Sequence, residues 1–195
     1  MPVSEMHARV ASIALAAAAV HGFALGGGNA LLAHGVISRP TQDVDLFTDQ
    51  KHGVEAAAGA VEAALRDAGF AVEREQEAAG LADIFPGMGE GLAEWIVTAP
   101  CGQQLTVQLA YFDRGRDPVA TEIGPVLDLE DVAGGKVCAL PSRVEPRDYA
   151  DTARMLEAFG AGGRMRAQAG EHDPPPGLVG LAVTARVEPV PGDLP

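Results

Sequence analysis

The chain has 195 residues, of which 47% are hydrophobic but only 5% aromatic, enough for a compact domain with a core of Ala, Val and Leu and too apolar for a disordered chain. Its 14 basic and 27 acidic residues give a net charge of −13, which excludes a general nucleic-acid coat, because nonspecific phosphate binding needs a positive surface. The excess is uneven: residues 1–135 carry 7 basic and 19 acidic groups, whereas residues 136–166 carry 6 and 4, so a polyanion would be met in the latter stretch.

Ser4 is placed to cap a helix over 5–21 that Gly22 stops. Its alanine-rich centre, Val10 to Val20, is far shorter than the ~20 apolar residues of a membrane span. Glu5 and His7 stand where a secretion signal would want positive charge, so a helix packed on a cytoplasmic domain is expected. Phe23–Leu25 reads as a short strand running into Gly26-Gly27-Gly28. A short helix over Asn29–Ala33, a loop over 36–42 and a strand over Asp43–Phe47 follow. Apolar spacing predicts a helix over 53–68. Alternation then predicts strands at 71–77, 81–85, 94–99, 103–112 and 119–123, and helical spacing returns at 128–140, 146–158, 162–169 and 176–186. The expected architecture is α+β, a mixed sheet followed by a C-terminal helical bundle. The domain reading is a core with its N-terminal helix over 1–125, a helical region completing the site over 126–187, and an extended tail over 188–195. The two cysteines, Cys101 and Cys138, show no metal spacing, and the histidines form no ligand pair.

Within the strand Asp43–Phe47, side chains alternate, so Asp43, Asp45 and Phe47 share one face while Val44 and Leu46 point to the core. Two carboxylates side by side repel unless a cation lies between them, and oxygen ligands favour Mg²⁺, with Mn²⁺ as the alternative. An isolated Asp-x-Asp is more often a solvated strand end. Gly26-Gly27-Gly28 upstream shifts that balance, since glycine lets backbone N–H groups approach a phosphate. Neither the dinucleotide spacing nor a Gly-Lys-Ser/Thr ending is present, which argues against Rossmann and Walker-type sites. Arg39 could clamp a phosphate oxygen, and the Thr41 hydroxyl could hold a carboxylate or a phosphate. Lys136 falls inside the apolar stripe Leu129, Val132, Ala133, Val137 and Leu140, where it needs a negative partner, either a ligand triphosphate or a buried carboxylate. Asp148 lies near an apolar side set by Tyr149, Thr152, Leu156 and Phe159, with Arg147 and Arg154 outward; an N-terminal dipole role and a functional role fit it equally.

Taken together, Ala24-Leu-Gly-Gly-Gly-Asn-Ala-Leu-Leu-Ala-His-Gly35, Arg39-Pro-Thr-Gln-Asp-Val-Asp-Leu-Phe47, Lys136 and Pro146-Arg-Asp-Tyr-Ala-Asp151 resemble the AbiEii family of nucleotidyltransferase toxins. These belong to the DNA polymerase β-like superfamily, and small mycobacterial MenT toxins look nearest. The resemblance runs from about Phe23 to Phe159. It implies Gly27 and Gly28 as triphosphate-binding glycines, Asp43 and Asp45 as the metal pair, Thr41 as the family's hydroxyl position, and Lys136 and Asp148 as catalytic residues. Two departures stand out. Gly28 occupies the place where Ser is more widespread, and the matching neighbour strand offers Gln108, with Asp113 beyond its end, in place of a third carboxylate. The activity implied is transfer of a nucleoside monophosphate from an NTP, with a pyrimidine preferred, to an RNA acceptor. The tRNA 3′ end is the acceptor implied, with translation blocked and an antitoxin protein as partner.

Two rivals accompany this reading. A metal-dependent glycosyltransferase also uses Asp-x-Asp, but 42 residues leave no room for the nucleotide-binding half it needs before the motif. A degenerate, non-catalytic module that binds nucleotide or a partner fits the missing serine and third acid, while the inward Lys136 counts against it.

Overall fold

The computed structural model describes residues 3–75, 91–143, 146–159, 163–169 and 183–189, with the backbone alone for 138–143, 146–148, 156, 159 and the last two segments. Helix α1 (Glu5–Ala17) starts where Ser4 accepts from the His7 N–H and has Glu5 in its first turn; a 3₁₀ turn over Ala19–His21 completes the predicted stretch. Strand β1 (Ala24–Leu25), helix α2 (Gly27–Ala33), strand β2 (Asp43–Thr48) and helix α3 (Gly53–Asp67) follow in the expected order. Strands β3 (Ala71–Arg74), β4 (Leu92–Thr98), β5 (Gln104–Tyr111), β6 (Val119–Ala120) and β7 (Pro125–Val126) complete one seven-stranded sheet, in the order β3-β4-β5-β2-β1-β7-β6. The predicted strand at 81–85 lies outside the described residues.

β2 occupies the centre. It runs parallel to β5 and antiparallel to β1, and β1 is parallel to β7, so the sheet is mixed. Its buried residues, Val44, Leu46 and Thr48, alternate with half-buried ones, and the buried face is covered by α1 here and by α3 over the neighbouring strands. Val44, Leu46, Trp95, Val97, Val107 and Leu109 from the strands meet Val10, Ala14, Val61 and Leu65 from the helices in one buried cluster. Small alanines on α1 and α3 let those two helices lie close over the same face.

Helices α4 (Leu129–Arg143) and α5 (Pro146–Phe159) confirm two of the four predicted C-terminal helices. The other two are corrected where the structure describes them: residues 163–169 form strand β8 and residues 183–189 form strand β9, paired antiparallel from Gly163↔Pro189 to Ala169↔Val183, while residues 176–182 of the last predicted helix lie outside the described residues. Met, Arg, Gln and Ala favour a helix locally, but an extended partner satisfies the same backbone groups across the pair, and tertiary pairing outweighs propensity. This small sheet lies against α4. α4 is anchored in its first turn by Asp131, which is buried and accepts from the Gly115 and Arg116 N–H groups at 2.9 and 3.0 Å. Burial pushes the Asp131 carboxyl above its ordinary value of 3.8, the two N–H donors pulling the other way.

Candidate active site

The site begins where β1 stops. After Leu25↔Leu46, the chain turns at Gly26, whose N–H donates to the Asp45 carbonyl at 2.8 Å. Gly27 then adopts φ +56, and a Cβ there would collide with the Asp45 carboxylate; one on Gly28 would lie 2.6 Å from Thr41 Cγ2. Glycine is therefore dictated twice at Gly27, by conformation and by space. The result is bare backbone laid directly beside an acid.

Asp43 and Asp45 stand half-buried on the face of β2 opposite the core. Their register partners on β5 are Thr106 and Gln108, and on the next strand Glu94 pairs with Gln108. One row across the sheet thus reads Asp45, Gln108, Glu94, all half-buried on the same face. The neighbour of Asp45 is an amide, as the sequence implies; the acid one strand further on is not foreseen, because it depends on the pairing of β4 with β5. Among the described residues no group of three or more His, Cys, Asp or Glu is arranged to hold a metal ion. The Asp43 and Asp45 carboxylates, with Gln108 beside them, form an oxygen-only donor set that suits a hard divalent cation.

The cationic part comes from three separate stretches. Lys136 on α4, its side chain 15% exposed, places Nζ 3.3 Å from Asp151 Oδ2. Arg39, four residues before Asp43, donates from Nε to Asp151 Oδ1 at 3.1 Å and from Nη2 to Oδ2 at 2.5 Å. Asp151 on α5 is only 1% exposed and draws both cations to one place beside the loop that enters β2. Of the two partners the sequence allowed Lys136, the buried carboxylate is present. A two-pronged Arg–carboxylate contact adds orientation as well as charge.

Gly27, Gly28, Thr41, Asp43 and Asp45 thereby meet at the start of β2, and Arg39, in the loop before it, joins Lys136 at Asp151. Thr41 donates from its hydroxyl to Asn29 Oδ1 at 2.7 Å. Asp148 belongs to the first turn of α5, but its side chain lies outside the described residues. The apolar side assigned to α5 needs correction. Tyr149 is 51% exposed, whereas Asp151 and Met155 are buried. Anchoring the helical wheel on Met155 instead of Tyr149 would have placed Asp151, four residues earlier, on the inward face. Arg154 is exposed as expected and pairs with Glu157.

Elsewhere, a cavity of about 490 Å³ lined by Ser12, Leu15, Phe23, Arg114 and Ile123, among others, shares none of these residues. No described helix is long and apolar enough to cross a membrane.

Two solved structures from Helicobacter pylori have a similar fold. JHP933 superposes with a TM-score of 0.53 at 18% identity, over 77% of this chain and 66% of its own. A putative nucleotidyltransferase gives 0.54 at 18% identity, over 76% and 67%. MenT4, a nucleotidyltransferase toxin from Mycobacterium tuberculosis, gives 0.44 at 13% identity, over 68% and 51%. The chain thus spans about two thirds of the H. pylori chains and half of MenT4. No curated protein matches its sequence. The profile of the nucleotidyl transferase AbiEii toxin family, type IV toxin–antitoxin system, matches residues 13–173, most of the chain. With the glycine turn, the acid pair and the inward lysine inside that match, the chain belongs to the AbiEii family of nucleotidyltransferase toxins.

Proposed function

We propose that the protein transfers a nucleoside monophosphate from an NTP to a hydroxyl of RNA, the tRNA 3′ end being the acceptor, and so blocks translation until a partner antitoxin neutralises it. The observation that carries this reading is the glycine backbone packed against Asp45, with Arg39, in the loop that enters β2, meeting Lys136 at Asp151. In the reaction the acceptor oxygen bonds to the α-phosphorus, the bond from that phosphorus to the β-bridging oxygen breaks, pyrophosphate leaves, and the acceptor proton passes to solvent. Asp43 and Asp45 would hold a divalent cation, Mg²⁺ or Mn²⁺. Bound there, it supplies charge neutralisation on the triphosphate and a lower pKa for the attacking hydroxyl.

The chain's own groups do the rest. The Gly27 and Gly28 backbone can meet phosphate oxygens without side-chain obstruction. Lys136 and Arg39, held by Asp151, offset charge that grows on the departing pyrophosphate. Thr41 lines the same turn, and Asp148 is the remaining catalytic candidate by its place in the family motif. Support for an RNA acceptor comes from the basic stretch 136–166 in an otherwise acidic chain. A pyrimidine NTP and a cytoplasmic setting accompany this reading, both drawn from the family.

Gln108 beside Asp45 favours a second reading, nucleotide binding without turnover. Incubation of the protein with tRNA, Mg²⁺ and each labelled NTP separates the two. Label entering RNA with wild type and vanishing with Asp43→Ala supports transfer. Nucleotide binding with no label under any condition supports the binding module, and label transferred from a nucleotide sugar supports neither.

A further inference from the structure

Asn29 is an unexpected residue to find buried. It lies in α2 between the glycine turn and Ala30-Leu31-Leu32, all of them apolar and buried, and is itself 1% exposed. An amide in such a place must satisfy both its ends, and this one does. Nδ2 donates to the Asp43 carbonyl at 2.6 Å, and Oδ1 accepts from Thr41 Oγ1 at 2.7 Å. The orientation of the amide follows from the partner, because a carbonyl can only accept.

The carbonyls of Asp45 and Asp43 point to the same edge of β2, two residues apart. That edge belongs to β1, which pairs only through Ala24↔Phe47 and Leu25↔Leu46. The Gly26 N–H reaches the Asp45 carbonyl, and then the backbone turns away into α2. A strand continuing alongside would fill the space the glycines keep open. It would also be needed to hold Asp43 in line. The Asn29 amide resolves this conflict by supplying the next rung of the ladder from a side chain, so the main chain is free to diverge. Its other end holds Thr41, and the two bonds flank Gln42 on either side.

We infer that Asn29 is a positioning residue that stands in for a missing strand neighbour and keeps Asp43 aligned with Asp45, with Thr41 as its second anchor. The inference rests on the proposed role of those two acids as cation ligands, and Mn²⁺ binding, followed by calorimetry and electron paramagnetic resonance, tests it apart from turnover. Asn29→Ala is expected to weaken Mn²⁺ binding about tenfold to a hundredfold, the usual cost of losing a residue that orients a ligand. Turnover should fall with it while the KM for NTP stays near wild type. Thr41→Val, which keeps the shape and removes one bond, should weaken Mn²⁺ binding about threefold, the worth of a single hydrogen bond. Thr41→Ser, which restores the O–H, should recover that affinity. Circular dichroism and thermal midpoints report whether each variant is folded. A folded Asn29→Ala protein with wild-type Mn²⁺ affinity overturns the inference, whatever its stability. If that variant does not fold, Thr41→Val decides, and wild-type affinity there overturns it equally. A wild type that binds no Mn²⁺ also sinks it. A wild type that binds Mn²⁺ but transfers no nucleotide leaves the positioning role to be read from affinity and removes the proposed function alone.

Discussion

Along β2, Val44, Leu46 and Thr48 are completely buried on the side covered by α1, whereas Asp43, Asp45 and Phe47 stand half-buried on the opposite face. The neighbouring strands repeat the division. Val107 and Leu109 face the helices while Thr106 and Gln108 face away, and Trp95 and Val97 do the same against Glu94. One face is closed by two alanine-rich helices laid on it; the other meets the glycine turn, and α4 and α5 are tied to the loop before β2 through Lys136, Asp151 and Arg39. The difference shows how a strand can be rigid and chemically available together. Apolar residues on one side fix the backbone, and the acids between them inherit that rigidity without being buried by it.

The sharpest way to break this division is to remove an acid. Asp43→Ala or Asp45→Ala should lower nucleotide transfer by about a thousandfold or more, as loss of several kcal/mol of charge stabilisation requires, with little change in thermal midpoint. A large drop in stability would show that the two faces are not separable. Leu46→Ala probes the other side of the same strand. It should cost about 2–5 kcal/mol in urea denaturation, and the folded fraction should still transfer nucleotide.

Asp151→Ala tests whether the open side also has a structural centre. Without this carboxylate Lys136 and Arg39 lose the contact that joins α4, α5 and the loop before β2. Because Arg39 is partly solvated, the expected cost is at the lower end for a broken buried pair, about 3 kcal/mol by urea denaturation. Asp151→Asn, which keeps the shape and accepting oxygen, should cost less.

The smallest effect is expected at Asp131, beneath the start of α4. Its folded pKa is raised chiefly by burial, so the folded chain holds a proton that the unfolded chain has already released. Its contribution to stability is therefore fully present below about 3.8 and is lost as pH rises through the folded value. Thermal midpoints of wild type and Asp131→Asn across the weakly acidic range should show wild type losing ground to the variant as pH rises. A constant gap would contradict the burial of this carboxyl.

How far these features can be read without coordinates varies with their range. The Ser4 cap, the alternation of β2, the stop at Gly22 and the inward Lys136 are patterns within a few residues, and each reappears in the fold. Asn29 carried no signal, since a polar residue in a short helix ordinarily faces water. Asp151 was visible in its motif but had no assigned part, because the helical face was anchored on Tyr149. Pro125–Val126 was not foreseen as a strand at all, being two residues long and recognisable only through its parallel pairing with Leu25. The helix expected at 162–169 failed for the same reason, since its residues pair with a segment about twenty positions away.

From the order of amino acids alone came the α+β character, the acid pair and its core-facing companions, and the glycine-rich bend before them, because periodicity and backbone freedom are properties of neighbours in the chain. The tertiary structure decided which carboxylate meets Lys136 and Arg39, which residue lies beside Asp45 across the sheet, and what holds Asp43 where β1 turns away. Those contacts join residues up to 112 positions apart. They form only after distant strands and helices have packed, and no local preference encodes which of many distant partners a side chain will find.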